Sequence, residues 1–185
     1  IKIENKLLKK AFDDLPIDLK NAMKLASNRI KAFHEKQKLS GFDYVDEIGV
    51  NLGLKYSPIK RVGFYTPGGK ALYPSSVLMN AIPALVAGVE ERVLVSPINI
   101  EKSSEILLAA AYLAEVTEFY RMGGAQAIAA LAFGTEKLKK VDKIVGPGNA
   151  YVAEAKRQLF GKVGIDSVAG PSEVLIVADK INKPE

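Results

Sequence analysis

The 185-residue sequence contains no cysteine and a single histidine, His34. The missing cysteine excludes disulfides, thiolate metal sites and a thiol nucleophile. With one histidine, a multi-histidine metal site cannot be built, and any Ser-His-Asp triad would have to recruit His34 from the amino-terminal third. No stretch approaches the roughly 20 uninterrupted apolar residues of a membrane span. The richest run, Val77 to Val89, is short and contains Pro83. The lysine-rich amino terminus lacks the apolar region of a signal peptide, so a cytosolic (cytoplasmic) protein without a membrane partner is expected. The dinucleotide fingerprint G-x-G-x-x-G and the Walker A pattern are also missing. A nucleotide, if bound, must be held in some other way.

The bulk composition is ordinary for a globular protein, with 48% hydrophobic and 25% charged residues. The net charge of +5 gathers in Lys2 to Lys38 and Lys137 to Lys143, interleaved with acids. No nucleic-acid motif or aromatic platform accompanies it, so it reads as a solvated face with no nucleic-acid partner.

Residues 1–38 read as helix, with Leu15, Leu19, Ala22, Met23, Ala26, Ile30 and Phe33 at three- and four-residue spacings on one face. Pro16 suits a first turn, with Asp14 as a candidate cap. His34 beside this stripe reads as a partly buried structural histidine. Residues 39–60 are transitional, with short extended segments. From Arg61 strands and helices alternate. Strands are expected at Arg61–Tyr65, Arg92–Ser96, Glu118–Met122, Lys143–Val145 and Glu173–Ala178. Helices are expected at Ser75–Gly88, Ser103–Ala114 (capped by Ser103 or Ser104), Gly124–Phe133 and Asn149–Phe160. Such alternation predicts βαβ units. The expected fold is therefore α/β: a Rossmann-like parallel sheet flanked by helices, with an amino-terminal helical arm.

Ligands of such sheets sit beyond the carboxyl ends of the strands, and that is where this chain concentrates its glycines. Pro67-Gly68-Gly69 follows Tyr65, Gly123-Gly124 precedes Gln126, and Gly146-Pro147-Gly148 precedes Asn149. Glycine lets a ligand approach backbone amides at a helix start, and an amide side chain offers both a donor and an acceptor. Each residue also has a structural alternative. Tyr65 could be a satisfied buried tyrosine, Asn149 a helix cap, and the Gly-Gly-Ala-Gln turn a site of close packing. Ser172, in Ala169-Gly170-Pro171-Ser172, is either a turn former or a substrate contact. The acids near this mouth, Glu154, Asp166 and Glu173, form no evident catalytic pair, and no histidine lies in the α/β part. On residue chemistry alone the chain is a binding scaffold without a general base.

Taken in order, Arg61 to Gly69, Gly123 to Gly134, Val141 to Asn149, Glu154 to Gln158, Ile165-Asp166 and Ala169 to Val174 resemble the histidinol dehydrogenase family. The resemblance runs along essentially the whole chain, more loosely over residues 1–58. It implies a homodimeric enzyme of histidine biosynthesis, dependent on zinc and NAD, that oxidises L-histidinol through the aldehyde to L-histidine. It assigns Tyr65, Gln126 and Asn149 to NAD contacts and Ser172 to a substrate contact. It places the zinc ligands and the catalytic glutamate–histidine pair beyond Glu185, so no catalytic or metal-binding residue is assigned here. It implies a first part of a discontinuous domain with the helical arm (1–60), a Rossmann-like NAD-side domain (61–171) and the first strand of the returning domain (172–185). The fragment is then expected to be inactive alone, with apolar surface at Val174 to Val177 exposed or covered by self-association. The competing reading is a stand-alone nucleotide-binding or interaction module.

Overall fold

A computed structural model describes residues 1–69, 72–99, 104–168 and 173–182. Fourteen elements follow in chain order: β1 (Lys2–Ile3), α1 (Asn5–Asp13), α2 (Ile17–Glu35), β2 (Phe42–Val45), β3 (Asn51–Leu54), β4 (Arg61–Tyr65), α3 (Pro74–Val86), β5 (Glu91–Ser96), α4 (Glu105–Leu113), β6 (Glu118–Arg121), α5 (Gly124–Phe133), β7 (Lys143–Val145), α6 (Ala150–Leu159) and β8 (Gly164–Ile165). The main sheet has the order β1-β6-β5-β4-β7-β8. All its pairings are parallel except that of β1 with β6. The expected α/β sheet is present, with an antiparallel edge strand that the sequence did not announce.

Alternate residues of the strands serve two separate cores. Val62, Phe64, Leu94 and Phe119 pack with side chains of α1, α2, α3 and α4 on one face. Tyr65, Val93, Val95, Tyr120 and Ile144 pack with α5 and α6 on the other. A parallel sheet must be covered on both faces, and its central strands accordingly run as unbroken apolar stretches. The chain builds outwards from β4 through β5 to β6 on one side. It then returns through α5 to pair β7 with the opposite edge of β4. The strand order therefore reverses at β4, which is the position where open α/β sheets open a crevice for ligands.

The amino-terminal region departs from a single helix over 1–38. It divides into β1, α1 and α2, because Pro16 lacks an amide donor and starts a new helix rather than continuing the old one. Asp14 closes α1 instead of capping α2, and neither helix has a side-chain cap. α1 packs against α4. On α2 the apolar stripe is only partly used: Met23 is buried and Ile30 half-buried, while Leu19, Ala22, Ala26 and Phe33 remain exposed. His34 is half-buried, as expected, and its Nδ1 lies 2.6 Å from Gln37 Oε1. The transitional segment is a β2–β3 hairpin whose strands are exposed throughout.

Two smaller expectations also change. Ser104 occupies the N-cap of α4 in an αR conformation and makes no capping bond; Ser103 lies outside the described residues. Glu173–Ala178 does not form a strand. A strand exists only through a ladder of backbone partners, and residues 174–177 have none among the described residues. Their side chains are 78–90% exposed.

At the amino-terminal end of the sheet, Arg61 pairs with Glu91 and donates to Glu118 at 2.7 Å, while Tyr120 donates to the same carboxylate at 2.5 Å. Lys2 reaches Glu118 at 3.3 Å and so ties β1 to this network. Burial alone would raise the Glu118 carboxyl, but the bonds from Arg61 and Tyr120 and the Arg61 charge outweigh it and hold the group at about 2. The same surroundings push the Tyr120 phenol up to about 12. A depressed carboxylate stabilises the fold above its unfolded value of 4.5 and loses that contribution as pH falls towards 2. Glu118 should supply about 2–3 kcal/mol at neutral pH. Urea midpoints measured from pH 6 to pH 2 should therefore fall most steeply below about pH 4.5, and Glu118→Gln should remove much of that slope.

Candidate functional site

Tyr65 ends β4 at the reversal point and is 4% exposed. Its phenol oxygen accepts the Gly124 amide at 3.2 Å, at the start of α5. Gly124 has φ +71°, and the exposed Gln126 side chain folds back over it, so a Cβ there would lie 2.7 Å from Gln126 Oε1. On the other side Gly146 lies directly over the Tyr65 backbone with φ +112°, and a Cβ would overlap the Tyr65 carbonyl oxygen. Only glycine satisfies both that approach and that dihedral. One tyrosine thus gathers the turns that open α5 and α6.

Asn149 is the N-cap of α6: its Oδ1 accepts the Val152 amide at 3.1 Å, while the residue stays exposed. Its structural alternative is therefore realised, and so is that of Tyr65, a buried tyrosine whose hydroxyl is engaged. Neither role consumes the group. The Asn149 amide nitrogen is left over from the cap, and the Tyr65 hydroxyl still has a proton to donate. The structure brings Tyr65 and the turns bearing Gln126 and Asn149 together. Ser172 lies outside the described residues.

Two features were not foreseen: the state of the Thr66 and Ser96 hydroxyls and the pairing of Lys156 with Asp166. Thr66 and Ser96, at the carboxyl ends of β4 and β5, are wholly buried, and their hydroxyls lack a hydrogen-bond partner among the described residues. Of the three acids expected near the mouth, Asp166 lies at the Gly146 turn. It accepts the Gly146 amide at 2.9 Å and the Ser167 amide at 2.8 Å and pairs with the buried Lys156. Burial works to raise its carboxyl, but Lys156 and the two amides prevail and hold it below the usual carboxylate range. Lys156 also donates to the Gly146 carbonyl at 3.1 Å. Glu154, by contrast, faces solvent and pairs with Arg157. The ten-residue spacing of Lys156 and Asp166 carries no helical or strand period, so only the β7–α6–β8 unit makes them neighbours.

The Gly146 turn, Asn80, Val152, Ala153, Lys156, Asp166 and Ser167 line an open cleft of ≈ 410 Å³. Small-molecule clefts typically enclose about 300–1,000 Å³. Among the described residues no group of three or more His, Cys, Asp or Glu side chains could hold a metal ion. The described residues by themselves therefore do not assemble a zinc site, and no step is derived through zinc. No helix among them is long and apolar enough to cross a membrane.

The family model for histidinol dehydrogenase matches residues 1–185. The chain belongs to the histidinol dehydrogenase family. It is 55% identical over 172 residues to the histidinol dehydrogenase of Neisseria meningitidis (serogroup A), covering 93% of this chain and 40% of that protein. It is 58% identical over 168 residues to histidinol dehydrogenase 1 of Trichormus variabilis, covering 91% and 39%. The crystal structure of histidinol dehydrogenase from Elizabethkingia anophelis superposes with a TM-score of 0.86 at 37% identity, covering 93% of this chain and 40% of that one. The chain thus spans about 40% of the length of the family members it matches.

The contact between Gly146 and Tyr65 gives a direct test. Gly146→Ala must displace either the turn or Tyr65 and adopt a dihedral that an L side chain rarely takes, at a cost of about 2–4 kcal/mol. Thermal melting should fall by roughly 4–16 °C. Tyr65→Phe, which deletes only the acceptor for Gly124, should cost about 1–2 kcal/mol.

Proposed function

We propose that this chain forms the cofactor side of a histidinol dehydrogenase, holding NAD at the crevice where Tyr65 joins the turns of Gln126 and Asn149. The observation that carries this reading is the meeting of two glycine turns on one tyrosine at the reversal of strand order. It occurs in a chain matched by the family model from end to end. The parent reaction is oxidation of L-histidinol to L-histidine through the aldehyde in two hydride transfers, within histidine biosynthesis. NAD, when bound, supplies the hydride acceptor.

The residues present fit a dinucleotide by their chemistry. Gly123 at the N-cap contributes no side-chain oxygen, so the first-turn amides of α5 beyond Gly124, whose own amide goes to Tyr65, and the positive end of the helix dipole can serve a pyrophosphate. The exposed Gln126 amide can donate and accept at once, which suits a carboxamide or a ribose. Asn149 holds α6 through its oxygen and offers its nitrogen to a ligand. Thr66 and Ser96 hold hydroxyls without a hydrogen-bond partner among the described residues beneath the same mouth. Ser172 is assigned to the substrate, and the general base and zinc ligands to protein outside these 185 residues. On this reading residues 61–171 are the NAD-side domain. Residues 1–60 and 172–185 contribute to a second, discontinuous one, and the working protein is a cytoplasmic homodimer.

The 185-residue chain should bind NAD⁺ but give no NADH from histidinol with zinc present, read at 340 nm on a sample of verified mass. Gln126→Ala should weaken NAD⁺ about fivefold, the worth of one neutral hydrogen bond, with an unchanged melting temperature. Asn149→Asp keeps a good N-cap while losing the amide donor. It should also hold its melting temperature yet bind NAD⁺ less tightly by calorimetry. Full affinity in both variants would remove these residues from the site.

A further inference from the structure

We infer that Lys156 and Asp166 are a positioning pair that clamps the Gly146–Asn149 turn in its ligand-receiving shape. The clamp acts on both polar groups of one residue: Asp166 Oδ2 accepts the Gly146 amide at 2.9 Å, and Lys156 Nζ donates to the Gly146 carbonyl at 3.1 Å. The two side chains pair with each other, and the Ser167 amide fixes the second carboxylate oxygen at 2.8 Å. Lys156 is 6% exposed, an unusual position for a lysine. Asp166 keeps 35% of its side chain exposed, and an ion pair between a buried lysine and a partly solvated carboxylate is weak evidence for stability. What apolar residues cannot do is dictate the orientation of a peptide unit. Gly146 needs that: its dihedral is one that an unrestrained glycine leaves freely, and Asn149 follows three residues later.

The functional part of this inference rests on the cofactor reading, and the test separates the two. On the 185-residue chain, amide exchange by NMR reads the turn without ligand, and NAD⁺ titration reads its consequence. Lys156→Met and Asp166→Ala should each speed exchange at Gly146 while Val93 and Leu94, in β5, keep their protection. Each should weaken NAD⁺ about tenfold, the worth of a charge-assisted hydrogen bond. The double variant K156M/D166L, apolar at both positions, should regain part of the melting temperature that the single variants lose, but neither the Gly146 protection nor the affinity. Recovery of all three would make the pair merely structural and overturn the proposal. If the double variant does not fold, Asp166→Asn decides: unchanged Gly146 exchange would overturn the clamp, and faster exchange would support it. If the unaltered chain binds no NAD⁺, the cofactor reading fails, and Gly146 exchange alone still decides the clamp.

Discussion

Tyr65 sits where the two halves of the sheet part company, and its position constrains everything at the carboxyl edge. Its hydroxyl meets the first amide of α5, and its backbone lies against Gly146 before α6. Both helices cover the same face, so the tyrosine fixes their starting points relative to β4. Were either helix start to shift, both the second core and the mouth would change together. The residue that packs the interior is thus also the residue that shapes the crevice.

The opposite edge of the sheet is organised by charge. Arg61, at the start of the strand that Tyr65 ends, holds Glu91 and Glu118 from the neighbouring strands β5 and β6. Asp142, just before β7, accepts the Arg61 backbone amide at 2.9 Å. β4 is therefore anchored across its neighbours at one end by ion pairs and at the other by a phenol and glycine contacts. At the carboxyl edge, charge comes from Arg121, the last residue of β6, and from the Lys156–Asp166 pair, beside the polarity of helix starts and amide side chains. An environment of that kind suits a ligand with both neutral and anionic parts.

Much of this was legible in the sequence because it depends on local rules. Gly124–Phe133 and Lys143–Val145 were legible to the residue, since apolar runs bounded by glycine or proline leave little choice. The grouping of glycine turns at one edge followed from alternation of strand and helix. What escaped were matters of partnership. β1 is two residues long and becomes a strand only because β6 lies beside it. Glu173–Ala178 has the apolar character of a strand but no partner among the described residues. Leu19 and Phe33 match a helical stripe, yet nothing in periodicity says how much of a stripe will be covered. Asp166 was visible as an acid near the mouth and Lys156 only as part of a family-like run, since their pairing comes from the fold and not from their spacing.

The order in which the chain visits the sheet has a further consequence. Tyr65 and Gly124 are 59 residues apart, and the Arg61 amide and its Asp142 acceptor 81. Closing such long loops is entropically expensive before any contact rewards it. The crevice therefore cannot preform on a hairpin or a single βαβ unit. It comes into being only when β7 has docked against β4, so it reports completion of the domain, and a partly folded chain presents no half-made mouth to its ligand.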